Sequence, residues 1–351
     1  MDYSANPRDA ASAAKLCWCS DDEPGILRMP GKNGFRYRES DGNVVRDAGT
    51  LDRIKSLVIP PAWTDVWIAP GEDCHLQATG RDQRGRKQYR YHDRWTRQRY
   101  ESKFATLPAF CDALSGLRKA VDRDLRQRNL TRQKVLATIV WLLDNTMIRI
   151  GNAAYARENG NFGLTTLRNR HADIRGSTLR LSFRGKSGKE WALKVTDRRI
   201  VTSVRKAQEL PGQTLFQYLD ENDQRHAVRS QDVNDYIRQN CKGEFTSKHF
   251  RTWGGTVRAA ALFNATELPD SRTGQKRAQN VVIDQVARHL GNTRAVCRAC
   301  YIHPYVLEAW EQGKLPQQLK RARARLRRTP PGLDRAEAIV KAWLEIRDGI
   351  R

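Results

Sequence analysis

From residue 26 to residue 92 apolar and polar positions alternate in short runs. Beyond residue 93 apolar residues recur at three- and four-residue spacing, so the chain predicts a strand-rich first part and a helical second part. Phe35 and Tyr37 alternate ahead of Asp41-Gly42, and Val66 and Ile68 ahead of Pro70-Gly71, each a strand running into a turn. Between them Thr50 is placed to cap a short helix that Pro60-Pro61 must end. His75 to Thr79 and Gln88 to Tyr91 read as the strands of a hairpin around the loop GRDQRGRK. In the second part Asp93 suits a helix cap and Pro108 a first helical turn. Val135, Leu136, Ile139, Val140, Leu142, Leu143 and Met147 mark a core helix over 131 to 148. One β interlude follows: Leu179, Leu181 and Phe183 alternate, GKSGK turns the chain, and Trp191, Leu193 and Val195 alternate again. Helices are expected from residue 200 to the end, broken at Pro330-Pro331, and no internal repeat is visible.

The fold class predicted is therefore α+β. Residues 1–92 form a small β-rich N-terminal domain and residues 93–351 a larger, mainly α-helical domain carrying a β-hairpin, joined near residues 93 to 105. A chain of 351 residues with 39% hydrophobic content is long enough for two such cores.

Charge changes this picture. Lysine and arginine number 63 against 39 acidic residues, a net charge of +24 spread along the whole chain. Self-repulsion on that scale is destabilising without a partner that neutralises it, which points to a polyanion such as nucleic acid. Seven scattered cysteines do not make a disulfide framework in a chain this long and fit a reducing compartment better. Cys17 with Cys19, and Cys297 with Cys300, lack the second pair that a structural zinc site needs, so no metal is expected. The start MDYSANPRDA has no apolar leader and no later segment has the apolar length to span a bilayer; a cytoplasmic, nucleoid-associated protein with no membrane role is expected.

Two groups of residues are candidates for chemistry. The hairpin loop carries Arg84, Arg86 and Lys87, followed at once by Gln88, Tyr89 and Tyr91. Alternation puts the two tyrosines on one face and Gln88 on the other, the make-up of a strand lying along a nucleic-acid groove. In the second part Tyr301 closes a short basic helix after the stop at Gly291-Asn292, Arg149 follows the core helix, Lys186 lies at the tip of the interlude hairpin, and Arg251 stands in KHFRTWG. Singly, each has an ordinary reading as a boundary tyrosine, a helix-end cation or an exposed turn lysine.

Together these segments resemble the type IB DNA topoisomerases, in the compact poxvirus-like form found in bacteria, and through them the tyrosine recombinases, which share the catalytic domain. The resemblance rests on MIRIGNAAYARENGNFGLTTLRNRHADI, FRGKSGKEW, KHFRTWGGT and HLGNTRAVCRACYIHP, with QATGRDQRGRKQYRYH resembling the DNA-contacting hairpin. It runs from about residue 30 to about 310. What it implies is relaxation of supercoiled duplex DNA by transient cleavage of one strand, without ATP, metal or any other cofactor. Tyr301 is the implied nucleophile, forming a 3′-phosphotyrosyl link; Arg149 and Arg251 the implied phosphate clamp; Lys186 the implied general acid; and Asn292 an implied hydrogen-bond donor to the phosphate. Gln88, Tyr89, Tyr91, Arg84, Arg86, Lys87 and Lys248 are the implied DNA contacts. The resemblance further implies a monomer, needing no protein partner, whose two domains close around double-stranded DNA as a C-shaped clamp hinged near residues 93 to 105.

Asn292 departs from the viral and eukaryotic members, which have histidine there; asparagine can still donate one N–H but cannot titrate. His289 and His303 lie near but off the motif spacing and are read as structural. A site-specific tyrosine recombinase or integrase is the first alternative. It would place histidine three residues before the second arginine, where this chain has Lys248, with His249 one residue out. A non-enzymatic, basic architectural DNA-binding protein is the second; composition suits it, but it gives no reason for the four catalytic residue types in those settings.

Overall fold

The computed structural model describes residues 7–32 and 34–349, so the polar start at residues 1–6 lies outside it. The chain divides into two compact units at Thr106 and Leu107. The first contains α1 (Pro7–Ala13), β1 (Ile26–Gly31), β2 (Gly34–Arg38), α2 (Ala48–Ser56), β3 (Thr64–Ile68), β4 (Leu76–Arg81), β5 (Lys87–Tyr91) and α3 (Asp93–Ala105). Its strands form one five-stranded antiparallel sheet in the order β2-β1-β3-β4-β5. The central strand β3 is buried on both faces. Val66 and Ile68 pack with Ile26, Val45, Ala78 and Ile54 of α2, while Trp67 packs with Cys74 and Leu76 on the opposite side.

Local details differ from expectation where a nearby side chain makes the better bond. Asp47, not Thr50, caps α2, its carboxylate accepting from the Thr50 N–H at 2.7 Å. His92, not Asp93, caps α3, with Nδ1 accepting from the Arg94 N–H at 3.0 Å. Asp41-Gly42 makes a tight turn, but it closes only a single bridge between Arg38 and Val44; β2 pairs with β1 instead. Residues 93 to 105 form helix α3, whose Trp95 is buried against Ala10, Ala11 and Leu16. Cys19 and Cys74 are joined by a disulfide, a pairing that scattered positions did not suggest. A bridge between Cys17 and Cys74 aligns the two segments.

The second unit contains α4 (Leu107–Leu125), α5 (Arg132–Thr146), α6 (Ala153–Asn159), β6 (Ala172–Arg175), β7 (Thr178–Arg184), β8 (Glu190–Val195), α7 (Arg198–Glu209), β9 (Gln217–Leu219), β10 (Arg225–Ala227), α8 (Ser230–Cys241), α9 (Ser247–Asn264), α10 (Arg272–Leu290), α11 (Arg294–Cys300), α12 (Pro304–Glu311), α13 (Leu315–Arg325) and α14 (Arg335–Arg347). Helix α5 is the core: Val135 to Val140, Leu142 and Leu143 are all buried, surrounded by α4, α7, α8 and α9. The interlude hairpin is β7–β8, with Leu181 opposite Leu193 and Phe183 opposite Trp191. Strand β6 extends it to a three-stranded sheet, and β9–β10 form a second small hairpin within a stretch expected to be helical. These two strands are three residues each, too short for a period to register. Arg118 of α4 spans Asp144 of α5 and Glu337 of α14, each at 2.7 Å, and ties the last helix to the core. The basic run KRARARLRR lies partly on α13, which packs through Leu315, Leu319 and Ala322. Among the described residues no helix is long and apolar enough to cross a membrane.

Candidate active site

Four of the candidate residues converge in the second unit. Helix α5 stops at Met147, which takes a left-handed conformation (φ 57°) and redirects the chain through buried Ile148 into Arg149. The segment 163–166 then clasps the arginine's backbone. The Leu164 N–H donates to the Arg149 carbonyl at 3.0 Å and the Thr165 N–H to the Ile150 carbonyl at 2.7 Å. A Cβ on Gly163 would stand 2.6 Å from the Arg149 carbonyl oxygen, so only glycine permits this approach. The GLTT motif is thus the backbone support of Arg149.

Arg251 sits in the early turns of α9 and is 4% exposed. One guanidinium nitrogen donates to the Met147 carbonyl and another to the Leu290 carbonyl at 2.6 Å. Helix α10 ends at Gly291 (φ 57°), and the Asn292 N–H returns to the Ala287 carbonyl at 2.9 Å, which turns the asparagine side chain inward. There its Oδ1 accepts from Arg149, whose other terminal nitrogen lies 3.4 Å from the Gly291 carbonyl oxygen. Tyr301 ends α11, its N–H bonded to the Cys297 carbonyl at 2.9 Å, and its half-buried ring lies under the Arg251 guanidinium at 5.0 Å. Gly255 and Thr256 of α9 receive the tyrosine backbone: a Cβ on Gly255 would stand 2.6 Å from the Tyr301 carbonyl oxygen, and Thr256 Oγ1 donates to that oxygen at 3.4 Å.

The electrostatics are those of a site built for an anion. Burial, and after it the like charge of Arg251, holds the Arg149 guanidinium down to about 10, while the hydrogen-bonded Tyr301 opposes that shift. Arg251 is also lowered by burial, again with Tyr301 opposing. Among the described residues neither has a carboxylate partner. Arg251 Nε and Asn292 Nδ2 are buried and have no hydrogen-bond partner among the described residues. Leaving such donors unmade costs roughly 1–3 kcal/mol each. An oxyanion placed against either donor would complete its bonding.

Lys186 lies at the exposed tip of β7–β8, where the Gly185 N–H closes onto the Lys189 carbonyl at 2.7 Å. Among the described residues no hydrogen bond or ion pair joins it to the four residues above, but its hairpin abuts the turn that carries Asn292 through Trp191. His303 caps α12, Nδ1 accepting from the Tyr305 N–H at 3.2 Å, and burial pushes it down to about 3. His289 lines the last turn of α10, lowered by burial and by Arg258 and Arg251. His249 packs among Phe110 and Phe245 and accepts from the Thr246 N–H at 3.0 Å.

The remaining candidates, Lys248 apart, lie on the β4–β5 hairpin of the first unit. Tyr89 and Tyr91 are exposed and stacked, with ring centroids 5.9 Å apart. Arg84 is exposed, whereas its neighbours are held by carboxylates. Asp82 accepts from Arg86 Nε at 2.8 Å, from Gln88 Nε2 at 2.9 Å and from the backbone N–H groups of Arg84 and Arg86. The Arg86 hydrogen bond is the main reason Asp82 falls to about 2. Lys87 pairs with Asp21 at 2.5 Å. Lys248 is exposed at the start of α9.

Pattern reasoning did not find the carbonyls of Met147 and Leu290, the clasp at Gly163, or the seat at Gly255 and Thr256. Only the last left a sequence signal. Adjacent Gly254 and Gly255 inside a helix weaken it by roughly 0.5–1 kcal/mol each, so they imply a close approach.

Residues 89–328 match the family described as eukaryotic DNA topoisomerase I, catalytic core, and residues 34–82 match the bacterial DNA topoisomerase IB, N-terminal domain. The chain is similar to DNA topoisomerase 1B of Acanthamoeba polyphaga mimivirus, with 32% identity over 294 residues, covering 82% of this chain and 88% of that protein. It is also similar to DNA topoisomerase 1B of Vaccinia virus (strain Western Reserve), 22% identical over 290 residues, 79% of this chain and 85% of that one. Similarity to DNA topoisomerase 1 of Mycosarcoma maydis is partial, 25% over 169 residues, 43% of this chain and 16% of that one.

Proposed function

This chain belongs to the type IB DNA topoisomerases, and on that premise we propose that Tyr301 is the nucleophile that opens one strand of duplex DNA, with Arg149, Arg251 and Asn292 holding the phosphate. The supporting observation is a pair of buried donors, Arg251 Nε and Asn292 Nδ2, with no hydrogen-bond partner among the described residues, together with the Arg251 guanidinium over the Tyr301 ring. A phosphodiester entering there would accept from both and bring the counter-charge that the two guanidinium groups lack.

The Tyr301 oxygen attacks phosphorus, the bond to the 5′-oxygen breaks, and a 3′-phosphotyrosyl link forms. The number of phosphoester bonds is unchanged. Religation is therefore the reverse step and needs no nucleotide. Negative charge grows on the nonbridging oxygens in the five-coordinate state, where preorganised cations stabilise it most. Arg149 and Arg251 supply that charge from fixed positions, because backbone carbonyls already hold Arg251 and Asn292 holds Arg149. The same cations favour negative charge on the attacking oxygen, and the phenol proton it loses passes to solvent water. The departing 5′-oxygen needs a proton, and Lys186 at its exposed hairpin tip is the donor. On the first unit, Tyr89, Tyr91 and the basic loop contact the duplex, and Lys248 contacts the backbone beside the site. One copy of the chain suffices, acting on nucleoid DNA in the cytoplasm.

The test is incubation of supercoiled plasmid in EDTA without ATP. Relaxed circles are expected, and trapping with denaturant should leave the DNA on Tyr301. Tyr301→Phe should lower relaxation by roughly 10⁴-fold or more while retaining DNA binding. Full relaxation by that variant, or an adduct on another residue, would remove the assignment. Exchange at defined sites would favour a recombinase, and retarded but supercoiled plasmid an architectural protein.

A further inference from the structure

Trp191 of β8 is 8% exposed and stacks on Phe183 with centroids 6.2 Å apart. Two glycines also press against its indole, and each adjoins a residue of the proposed machinery. A Cβ on Gly185, next to Lys186, would stand 2.7 Å from Nε1 and 2.8 Å from Cδ1. A Cβ on Gly291, next to Asn292, would stand 2.7 Å from Cζ2 and 3.1 Å from Cε2. Neither glycine position has room for a methyl group against the indole. Gly291 needs glycine for its backbone as well, at φ 57°. Gly185 does not: its φ of −95° suits any residue, so the indole alone excludes a side chain there. Lys186 itself has no hydrogen bond or ion pair among the described residues. The hairpin tip is therefore seated by Trp191 and not by the lysine's own contacts.

We propose that Trp191 is a positioning residue that seats the Lys186 hairpin on the Gly291-Asn292 turn and thereby fixes where the lysine delivers its proton. This rests on Lys186 as the general acid. Were the hairpin unseated, the Tyr301 attack and the arginine clamp would persist, while proton delivery to the 5′-oxygen would become rare. A positioned general acid contributes about 10²–10⁴-fold, and partial loss of aim should forfeit about 10- to 100-fold.

The experiment compares single-turnover cleavage of two duplexes that differ at one atom, oxygen or sulfur bridging phosphorus to the 5′-carbon at a site the unmodified protein cleaves. The phosphorus–sulfur bond breaks to leave a thiolate. Thiols ionise near about 8.5, so that group departs without a proton donor. Trp191→Leu and, separately, Gly185→Ala should cleave the oxygen substrate about 10- to 100-fold slower and the sulfur substrate within about threefold of the unmodified protein. Gly185→Ala keeps the indole itself, which guards against a folding failure specific to loss of Trp191, and circular dichroism confirms that each variant is folded at the assay temperature. Lys186→Ala runs in parallel. If it is slow on both substrates, the general-acid assignment fails. If sulfur rescues it but does not rescue folded Trp191→Leu and Gly185→Ala, or if those variants cleave the oxygen substrate normally, the positioning role fails while Lys186 stands.

Discussion

The basic loop of the β4–β5 hairpin and the pair Arg149 and Arg251 use the same residue types, but they differ in what neutralises them. On the hairpin Arg86 and Lys87 carry their own carboxylates, Asp82 and Asp21, at a partly exposed surface. In the second unit the two guanidinium groups are held by carbonyl oxygens and an amide, with no carboxylate among the described residues, and Arg251 is buried. A surface cation with a carboxylate beside it gains little from a phosphate until the pair exchanges partners. A buried cation held only by dipoles lacks a counter-ion, and a phosphate supplies it. The basic residues of the two regions therefore divide by their neighbours: Arg86 and Lys87 already have carboxylates, whereas Arg149 and Arg251 are held by dipoles alone.

Arg251→Lys is the sharpest way to break that distinction. A lysine cannot reach the carbonyls of Met147 and Leu290 together and still present a flat donor edge to phosphate. Cleavage should slow by roughly 10²–10³-fold with DNA affinity nearly unchanged, measured as adduct formation against filter binding. A loss below tenfold would mean that charge alone matters at the site, as on the hairpin.

Acidification separates the two regions by a smaller effect. His303 titrates near 3 in the fold against about 6.5 unfolded, so its contribution is complete above about pH 6.5 and is lost as the pH falls toward 3. Between those values the unfolded chain binds a proton that the fold refuses, which lowers stability by about 1.4 kcal/mol per pH unit. His303→Asn keeps an acceptor for the Tyr305 N–H without titrating. Its urea midpoint should fall less steeply than that of the unmodified protein between about pH 6 and 4.5. Parallel curves would assign the slope to other groups. Asp82 on the hairpin, depressed to about 2, contributes above about 3.8 and loses that contribution only below it. The hairpin pairs should thus persist while the helical unit already weakens.

The smallest effect is expected from Asp82→Asn. Freed from its carboxylate, Arg86 becomes available to phosphate, so affinity should rise a few-fold and the salt dependence of binding should steepen by about one counter-ion. An unchanged slope, from titrations at several salt concentrations, would show that Arg86 does not reach DNA.

Much of this was legible in the sequence, for identifiable reasons. The core helix α5 and the hairpin β7–β8 announced themselves by period, because their buried faces are long enough to repeat. Tyr301, Arg149, Arg251 and Asn292 could be picked out as candidates because their motifs carry flanking residues with structural duties, such as GLTT beneath Arg149. Strands of three residues, the caps at Asp47 and His92, and the Cys19–Cys74 link were not legible; each depends on one contact with no repeat.

The sequence by itself determined the two-part α+β organisation, the polyanionic partner and the residue types of the site, since period, net charge and motif are properties of the chain order. Only the tertiary structure decided which cations are free. Asp82 and Asp21 neutralise the hairpin through bonds that sequence spacing does not reveal, and Met147 and Leu290 hold Arg251 with carbonyls that every residue possesses. Backbone oxygens have no signature in a sequence; their direction exists only once the helices have been packed.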